Sequence, residues 1–216
     1  PRADGTVRVK SEGFPEDVIS LEDLQPKESA FGSSASLIAG VCAGFAERGL
    51  KIVGFDAYTT NAVYKGSGLS SSAAFEDMIG NILNHLYNEG KVSAPDIAKL
   101  GQYAENVYFG KPSGLMDQTA CAVGSFVTID FADPTAPIIE QLNVDLDALG
   151  YRLCITNTGG NHADLTPDYA AVPAEMKKVA AHFGQSVLRG LTAPQIIEQA
   201  ASLRAELGDR ALLRAL

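Results

Sequence analysis

The sequence predicts an α+β fold of two domains, and three observations carry that reading. Apolar and polar residues alternate over short stretches, as they do in half-buried strands. Elsewhere the apolar period lengthens to that of helices. A turn of glycines and serines at residues 66–72 joins one such strand to one such helix.

The elements follow in order. Residues 6–10 alternate Thr, Val, Arg, Val and Lys, a strand pattern. Residues 31–49 place Leu37, Ile38, Val41, Phe45 and Ala46 at helical spacing and end on Gly49, a helix closed by a C-terminal glycine. Residues 52–63 read as a strand, and after the glycine-serine turn a helix runs from Ala73 through Met78, Ile79, Ile82, Leu83 and Leu86. Ser93 is placed to cap the next helix, with Pro95 and Asp96 in its first turn, and that helix extends to about residue 108. Residues 109–114 break it, and a short helix follows at residues 115–123. Strands are expected at residues 125–131, 137–142 and 151–157, separated by Asp, Pro and Gly turns. The remainder reads as helices at residues 167–183 and 194–207 and a final helical stretch. A domain boundary is expected near residue 140, dividing the chain into 1–140 and 141–216. The chain begins without Met and stops inside a helical pattern, so both ends read as cut.

Composition narrows the function classes. With 46% hydrophobic and 20% charged residues among 216, the chain is neither disordered, collagenous nor coiled-coil. Seventeen basic residues against 26 acidic ones give a net charge of −9, which repels phosphate backbones and anionic membranes and argues against both as partners. A small anion remains compatible, because the local field of a pocket decides its binding. No apolar run is long enough to span a membrane and no leader pattern opens the chain, which reads as cytoplasmic. Cys42, Cys121 and Cys154 are odd in number, far apart and set among apolar residues, and they read as reduced core thiols.

The chemistry is concentrated in Gly66-Ser67-Gly68-Leu69-Ser70-Ser71-Ser72-Ala73. Glycines let backbone N–H groups approach an anion, the following helix adds its positive dipole end, and serine hydroxyls can bond phosphate oxygens or Mg²⁺. The same residues would also serve as a turn that only leads into the helix. The P-loop, dinucleotide and hydrolase-elbow patterns do not fit them.

Gly68-Leu69-Ser70-Ser71-Ser72-Ala73-Ala74 resembles the nucleotide-binding motif of the small-molecule kinases named for galactokinase, homoserine kinase, mevalonate kinase and phosphomevalonate kinase. Two further segments are similar to galactokinases within that superfamily: Gly110-Lys111-Pro112-Ser113-Gly114-Leu115-Met116-Asp117-Gln118, and residues 157–164 with Asp168 and Tyr169. The resemblance implies a ribosomal-S5-like N-terminal domain and a ferredoxin-like C-terminal domain, incomplete at both ends. It implies ATP and Mg²⁺ as cofactors and transfer of phosphate to the anomeric hydroxyl of galactose. Gly66, Ser67, Gly68, Leu69, Ser70, Ser71 and Ser72 would wrap the ATP phosphates, with Ser72 and Glu105 as Mg²⁺ ligands. Asp117 would face the sugar hydroxyl as base or orienting carboxylate, and Gly114 and Tyr169 would contact the sugar.

Read from residue type alone, Glu105 is also a solvated helix charge, Asp117 also a cap for the short helix, and Tyr169 also a core or rim residue. Lys65 and Lys111 flank the two motifs and are either cations near ATP or exposed loop lysines. His162 reads as a turn residue, and His85 and His182 as helix residues without chemical neighbours.

The family's N-terminal sugar signature and its late glycine-rich motif are absent from these 216 residues, so the chain alone is expected to turn over poorly or not at all. A kinase for a related sugar such as N-acetylgalactosamine, or a non-catalytic sensor of galactose and ATP, are the alternatives. The intact Ser72-Ala73 pair speaks against the sensor.

Overall fold

The structure is a computed structural model that describes residues 1–62, 68–156 and 165–216. Contacts divide it into two compact units, Pro1–Gly160 and Asn161–Leu216. Residue 140, where the sequence places a boundary, lies inside the first unit.

The first unit opens with a three-stranded sheet in the order β2-β1-β3, formed by β1 (Thr6–Ser11), β2 (Glu16–Ser20) and β3 (Phe55–Thr59). β1 pairs antiparallel with β2, placing Val7 opposite Ile19, and parallel with β3, placing Val7 beside Phe55. Alternation explains the burial: Val7 and Val9 point inward and are fully buried, while Arg8 and Lys10 between them are exposed. β2 is not anticipated from the sequence, because it is an edge strand that contributes one buried residue, Ile19, behind Pro15 and two acids.

Helices α1 (Ser34–Glu47), α2 (Ser71–Tyr87), α3 (Ala94–Tyr103) and α4 (Met116–Val123) make up most of the rest of this unit. The side chain of Ser33 caps α1 by accepting from the Ser36 amide at 3.2 Å. Its other end closes as expected. Gly49 takes φ +71, its amide donates to Ala46 and the Leu50 amide donates to Phe45, which satisfies the last carbonyls. Ser93 caps α3 through the Asp96 amide, also as expected. One core joins β1, α1, α2 and α3 through Val9, Ile38, Val41, Phe45, Ile79, Leu83 and Leu100.

The helix anticipated to run to residue 108 changes character at Ala104, where residues Ala104–Phe109 form a π-helical turn. That turn buries Ala104, Glu105 and Tyr108, and the Tyr108 hydroxyl donates to the carbonyl of Leu24 at 2.6 Å. α1 approaches it closely because Gly40 lacks a side chain: a Cβ there would stand 2.7 Å from the Cβ of Ala104.

A hairpin of β4 (Phe126–Asp130) and β5 (Ile138–Leu142) follows. The strand expected at residues 151–157 does not form over 151–156, where no pairing partner is found among the described residues; Tyr151, Leu153 and Ile155 alternate there but are exposed. Two of the three cysteines also depart from expectation. Cys42 lies in the core, where burial pushes its thiol up to about 12, whereas Cys121 and Cys154 are exposed; apolar neighbours in sequence do not ensure burial at an element's rim.

The second unit contains α5 (Thr166–His182), α6 (Ala193–Glu198), α7 (Ala200–Leu207) and α8 (Asp209–Ala215). Val179, Ile196, Leu203, Ala211 and Leu212 form its core. Glu175 on α5 accepts from Arg210 at 2.9 Å and from Arg214 at 2.7 Å, fastening α8 to α5.

Helix propensity alone makes Gly40→Ala stabilising by about 1 kcal/mol. The contact with Ala104 reverses the sign, so the expected result is a lower urea midpoint for Gly40→Ala than for the unaltered chain; a higher midpoint would show that α1 and the π turn can separate freely.

Candidate active site

The site is built where α2, the π turn and α4 meet. Gly68 takes φ +75 and Ser70 takes φ +57, so the loop turns through left-handed backbone just before α2. For a serine that conformation is strained, and such strain persists only where the surroundings enforce it. α2 starts at Ser71 rather than at Ala73, and no side chain caps it. No acid lies in its first turn, in contrast to α3, where Ser93 caps and Asp96 follows. The N-terminus of α2 thus keeps its positive end uncompensated by its own side chains, a setting that favours an anion. Gly66 and Ser67, and also Lys65 and His162, lie outside the described residues.

Ser72, in the first turn of α2, donates its hydroxyl to Glu105 Oε1 at 2.9 Å. Lys111 Nζ donates to the same oxygen at 2.8 Å, and Gln118 Nε2 on α4 donates to Glu105 Oε2 at 2.7 Å. Glu105 is only 2% exposed, so it is no solvated helix charge. Burial opposes its ionisation. The Lys111 ammonium, with hydroxyls of Ser113 and Ser72, overrides that and holds the carboxylate below its ordinary range.

The loop between the π turn and α4 is tied down by its own polar groups. Gly110 takes φ +79, and a Cβ there would overlap the ring of Phe31, so both backbone and packing require glycine. The Lys111 amide donates to the Glu105 carbonyl at 3.1 Å, and Asn106 Oδ1 accepts from the Ser113 amide at 2.7 Å. Gly114 is different. It is exposed, and a Cβ there would meet nothing within 4 Å, so the chain's own atoms do not require glycine at this position.

Asp117 lies in the first turn of α4, half-buried, with Leu115 at the N-cap position. It does not cap the helix. Cys121, one turn later, has its thiol pushed up to about 11 by desolvation and by the charges of Asp77, Asp117 and Glu76. Tyr169 belongs to α5 in the second unit and is exposed; Leu69 is exposed and Ser71 half-buried. The structure therefore brings Ser72 and Glu105 together, and ties Gln118, the neighbour of Asp117, to them.

Sequence reasoning missed the acids behind this pair. Glu76 and Asp77 on α2 are buried, and Gln118 Nε2 donates to Glu76 Oε2 at 3.1 Å as well as to Glu105. Among the described residues, Glu76 Oε1, both Asp77 oxygens, Gln118 Oε1 and Thr119 Oγ1 have no hydrogen-bond partner. Burial, the charge of Glu105 and the nearness of Asp77 push Glu76 up to about 8, and burial pushes Asp77 up to about 8. Both carboxyls accordingly hold their protons more tightly than ordinary acids. The signal was available: Glu76 follows Ser72 by four residues and precedes Ile79 by three, on the inward face of α2.

The donor set suits magnesium. Among the described residues no group of three or more His, Cys, Asp or Glu is arranged to hold a metal, so no all-protein cage exists there. Ser72 and Glu105 offer two hard oxygens 2.9 Å apart. Mg²⁺ characteristically takes one or two protein oxygens with waters and substrate phosphates, and these two residues are the ones that would hold it.

Residues 41–125, which span most of α1 through α4, match the family described as the GHMP kinases N terminal domain. Those residues are a GHMP kinase N-terminal domain. Over 196 residues the chain is 36% identical to a galactokinase of Streptomyces coelicolor, covering 87% of the chain and 48% of that protein. Over 159 residues it is 37% identical to a galactokinase of Clostridium tetani, covering 73% and 39%. It spans half or less of the length of these curated relatives. The crystal structure of Lactococcus lactis galactokinase complexed with galactose superposes with a TM-score of 0.74 at 23% identity, over 99% of this chain and 55% of that one. The mixed α and β kinase fold expected from the sequence is thereby borne out. No helix among the described residues is long and apolar enough to cross a membrane.

The buried acids set a pH dependence. Glu76 and Asp77 hold their protons more tightly folded than unfolded, so their contribution to stability is complete below about pH 4 and is lost as pH rises through about 8. Glu105 acts oppositely, losing its contribution as pH falls through the acid range. Between pH 5 and pH 8 one such buried acid removes about 1.4 kcal/mol per pH unit. Glu76→Gln is expected to flatten that decline and raise the urea midpoint most at pH 8; parallel curves for variant and parent would show that Glu76 is ionised in the fold.

Proposed function

We propose that this chain is part of a galactokinase and carries its phosphate loop and catalytic carboxylate, transferring the γ-phosphoryl group of ATP to the anomeric hydroxyl of galactose. The observation that carries the reading is the pairing of Ser72 with the buried, ionised Glu105 at the uncapped start of α2. The domain match and the galactokinase relatives support it.

The proposal gives each residue a task. Gly66, Ser67, Gly68, Leu69, Ser70 and Ser71 supply backbone N–H groups and hydroxyls around the ATP phosphates, and the α2 dipole favours their charge. Ser72 and Glu105 hold Mg²⁺. When bound, that ion neutralises charge on the phosphoryl oxygens in the loose transition state of phosphoryl transfer. Asp117, fixed in the first turn of α4 beside Gln118, orients the sugar hydroxyl and accepts its proton. Gly114 leaves room for the sugar against the backbone, and Tyr169 bonds a ring hydroxyl. On this reading residues 1–140 form the N-terminal kinase domain and residues 141–216 part of the C-terminal one. A cytoplasmic location belongs to the same proposal, supported by three cysteines without a disulfide among them.

The test is ADP release from Mg·ATP with galactose, N-acetylgalactosamine, glucose and arabinose, using the natural protein at its full length. Galactose alone is expected to drive turnover, and Asp117→Asn to lower kcat by about 10² to 10⁴. Preference for another sugar would move the proposal to a related kinase, and binding without turnover would replace it with a sensor. Because a Cβ at 114 meets no protein atom, Gly114→Ala is expected to leave the thermal midpoint unchanged while raising KM for galactose; an unchanged KM would remove Gly114 from the sugar site.

A further inference from the structure

Three donors hold the Glu105 carboxylate, and Oε1, the oxygen that faces Ser72, has no acceptor site left. Oε1 accepts from Ser72 and from Lys111, and Oε2 accepts from Gln118. A carboxylate oxygen offers two lone pairs, so on Oε1 both are engaged. An ion that binds this oxygen must displace one donor.

The three donors differ in how freely they can leave. Gln118 is fully buried, and its amide is shared with Glu76, so withdrawing it opens the core. Ser72 belongs to the α2 turn and is itself a ligand in the reading above. Lys111 sits on the loop after Gly110, with its side chain 40% exposed on a flexible four-carbon stem. Only its ammonium can swing out without disturbing a helix.

Resting on that reading of the Ser72 and Glu105 pair, we propose that Lys111 is a tethered counter-cation for Glu105, exchanged for the divalent ion as the site loads. Before loading, the ammonium compensates a carboxylate that would otherwise be charged, buried and close to Glu76. On loading, it gives up Glu105 Oε1 and turns to the solvent side. The exchange keeps the pair in shape between loading events, and it weakens metal affinity, since binding requires one charge-assisted hydrogen bond to be broken.

The test follows Mn²⁺ binding by electron paramagnetic resonance in the full chain without nucleotide. Lys111→Met is expected to bind Mn²⁺ about tenfold more tightly, the equivalent of one such bond. Lys99→Met removes the same charge from α3, where Nζ donates to the Thr135 carbonyl, and is expected to match the parent. Glu105→Gln is expected to lose binding. Without divalent ion Lys111→Met is expected to melt several degrees lower, and saturating Mn²⁺ to close that gap. If Lys111→Met does not fold, Lys111→Arg carries the test, because a forked, more persistent partner is expected to weaken Mn²⁺ binding. Equal or weaker binding by Lys111→Met, with binding still lost in Glu105→Gln, overturns the exchange and leaves the metal pair standing. No binding in any form, or binding indifferent to Glu105→Gln, overturns the pair and the exchange together.

Discussion

A buried negative charge on Glu105 organises the first unit. An isolated carboxylate in an apolar interior would take up a proton, and this one stays ionised because donors from three directions converge on it. Ser72 comes from α2, Lys111 from the loop after the π turn and Gln118 from α4. Removing any donor leaves the charge undercompensated, so the carboxylate fixes the relative placement of three segments. Those are the segments that bear the start of α2, the flexible ammonium and Asp117.

Two further acids, Glu76 and Asp77, are buried in the same unit. Burial and the charge of Glu105 raise the Glu76 carboxyl, and burial raises that of Asp77. The result is a division of labour in which one carboxyl keeps its charge and two hold their protons more tightly. Gln118 is the link, because a single amide nitrogen serves both the ionised Glu105 and Glu76. Gly101 is part of the same arrangement. A Cβ there would lie 3.1 Å from Glu76 Oε2 and 3.2 Å from Asp77 Oδ1, so the absent side chain on α3 is what admits the two acids.

The scaffold around this cluster is ordinary in its physics and exacting in its spacing. β1 and α1 form a core that needs only apolar residues at the right period. The approach of α1 to the π turn needs more, since Gly40 faces Ala104 where no Cβ fits. That close approach sets where the π turn lies, and Glu105 is its second residue. Packing of small residues on one side and charge compensation on the other therefore converge on the same carboxylate.

The sequence by itself determined the helices and most of the strands, because capping and periodicity are local: Ser33, Gly49 and Ser93 do in the structure what their types allow. It also determined the family of residues 41–125, since the glycine-serine turn and the segment around Asp117 are contiguous motifs. It did not reveal β2, whose single buried residue gives no pattern, and it promised a strand at residues 151–157 that does not form over the described residues 151–156, where alternation finds no partner. Only the tertiary structure decided which charges are buried. Glu76 precedes Glu105 by 29 residues and Gln118 by 42, and whether an acid keeps or loses its proton depends on neighbours that the chain brings together only by folding.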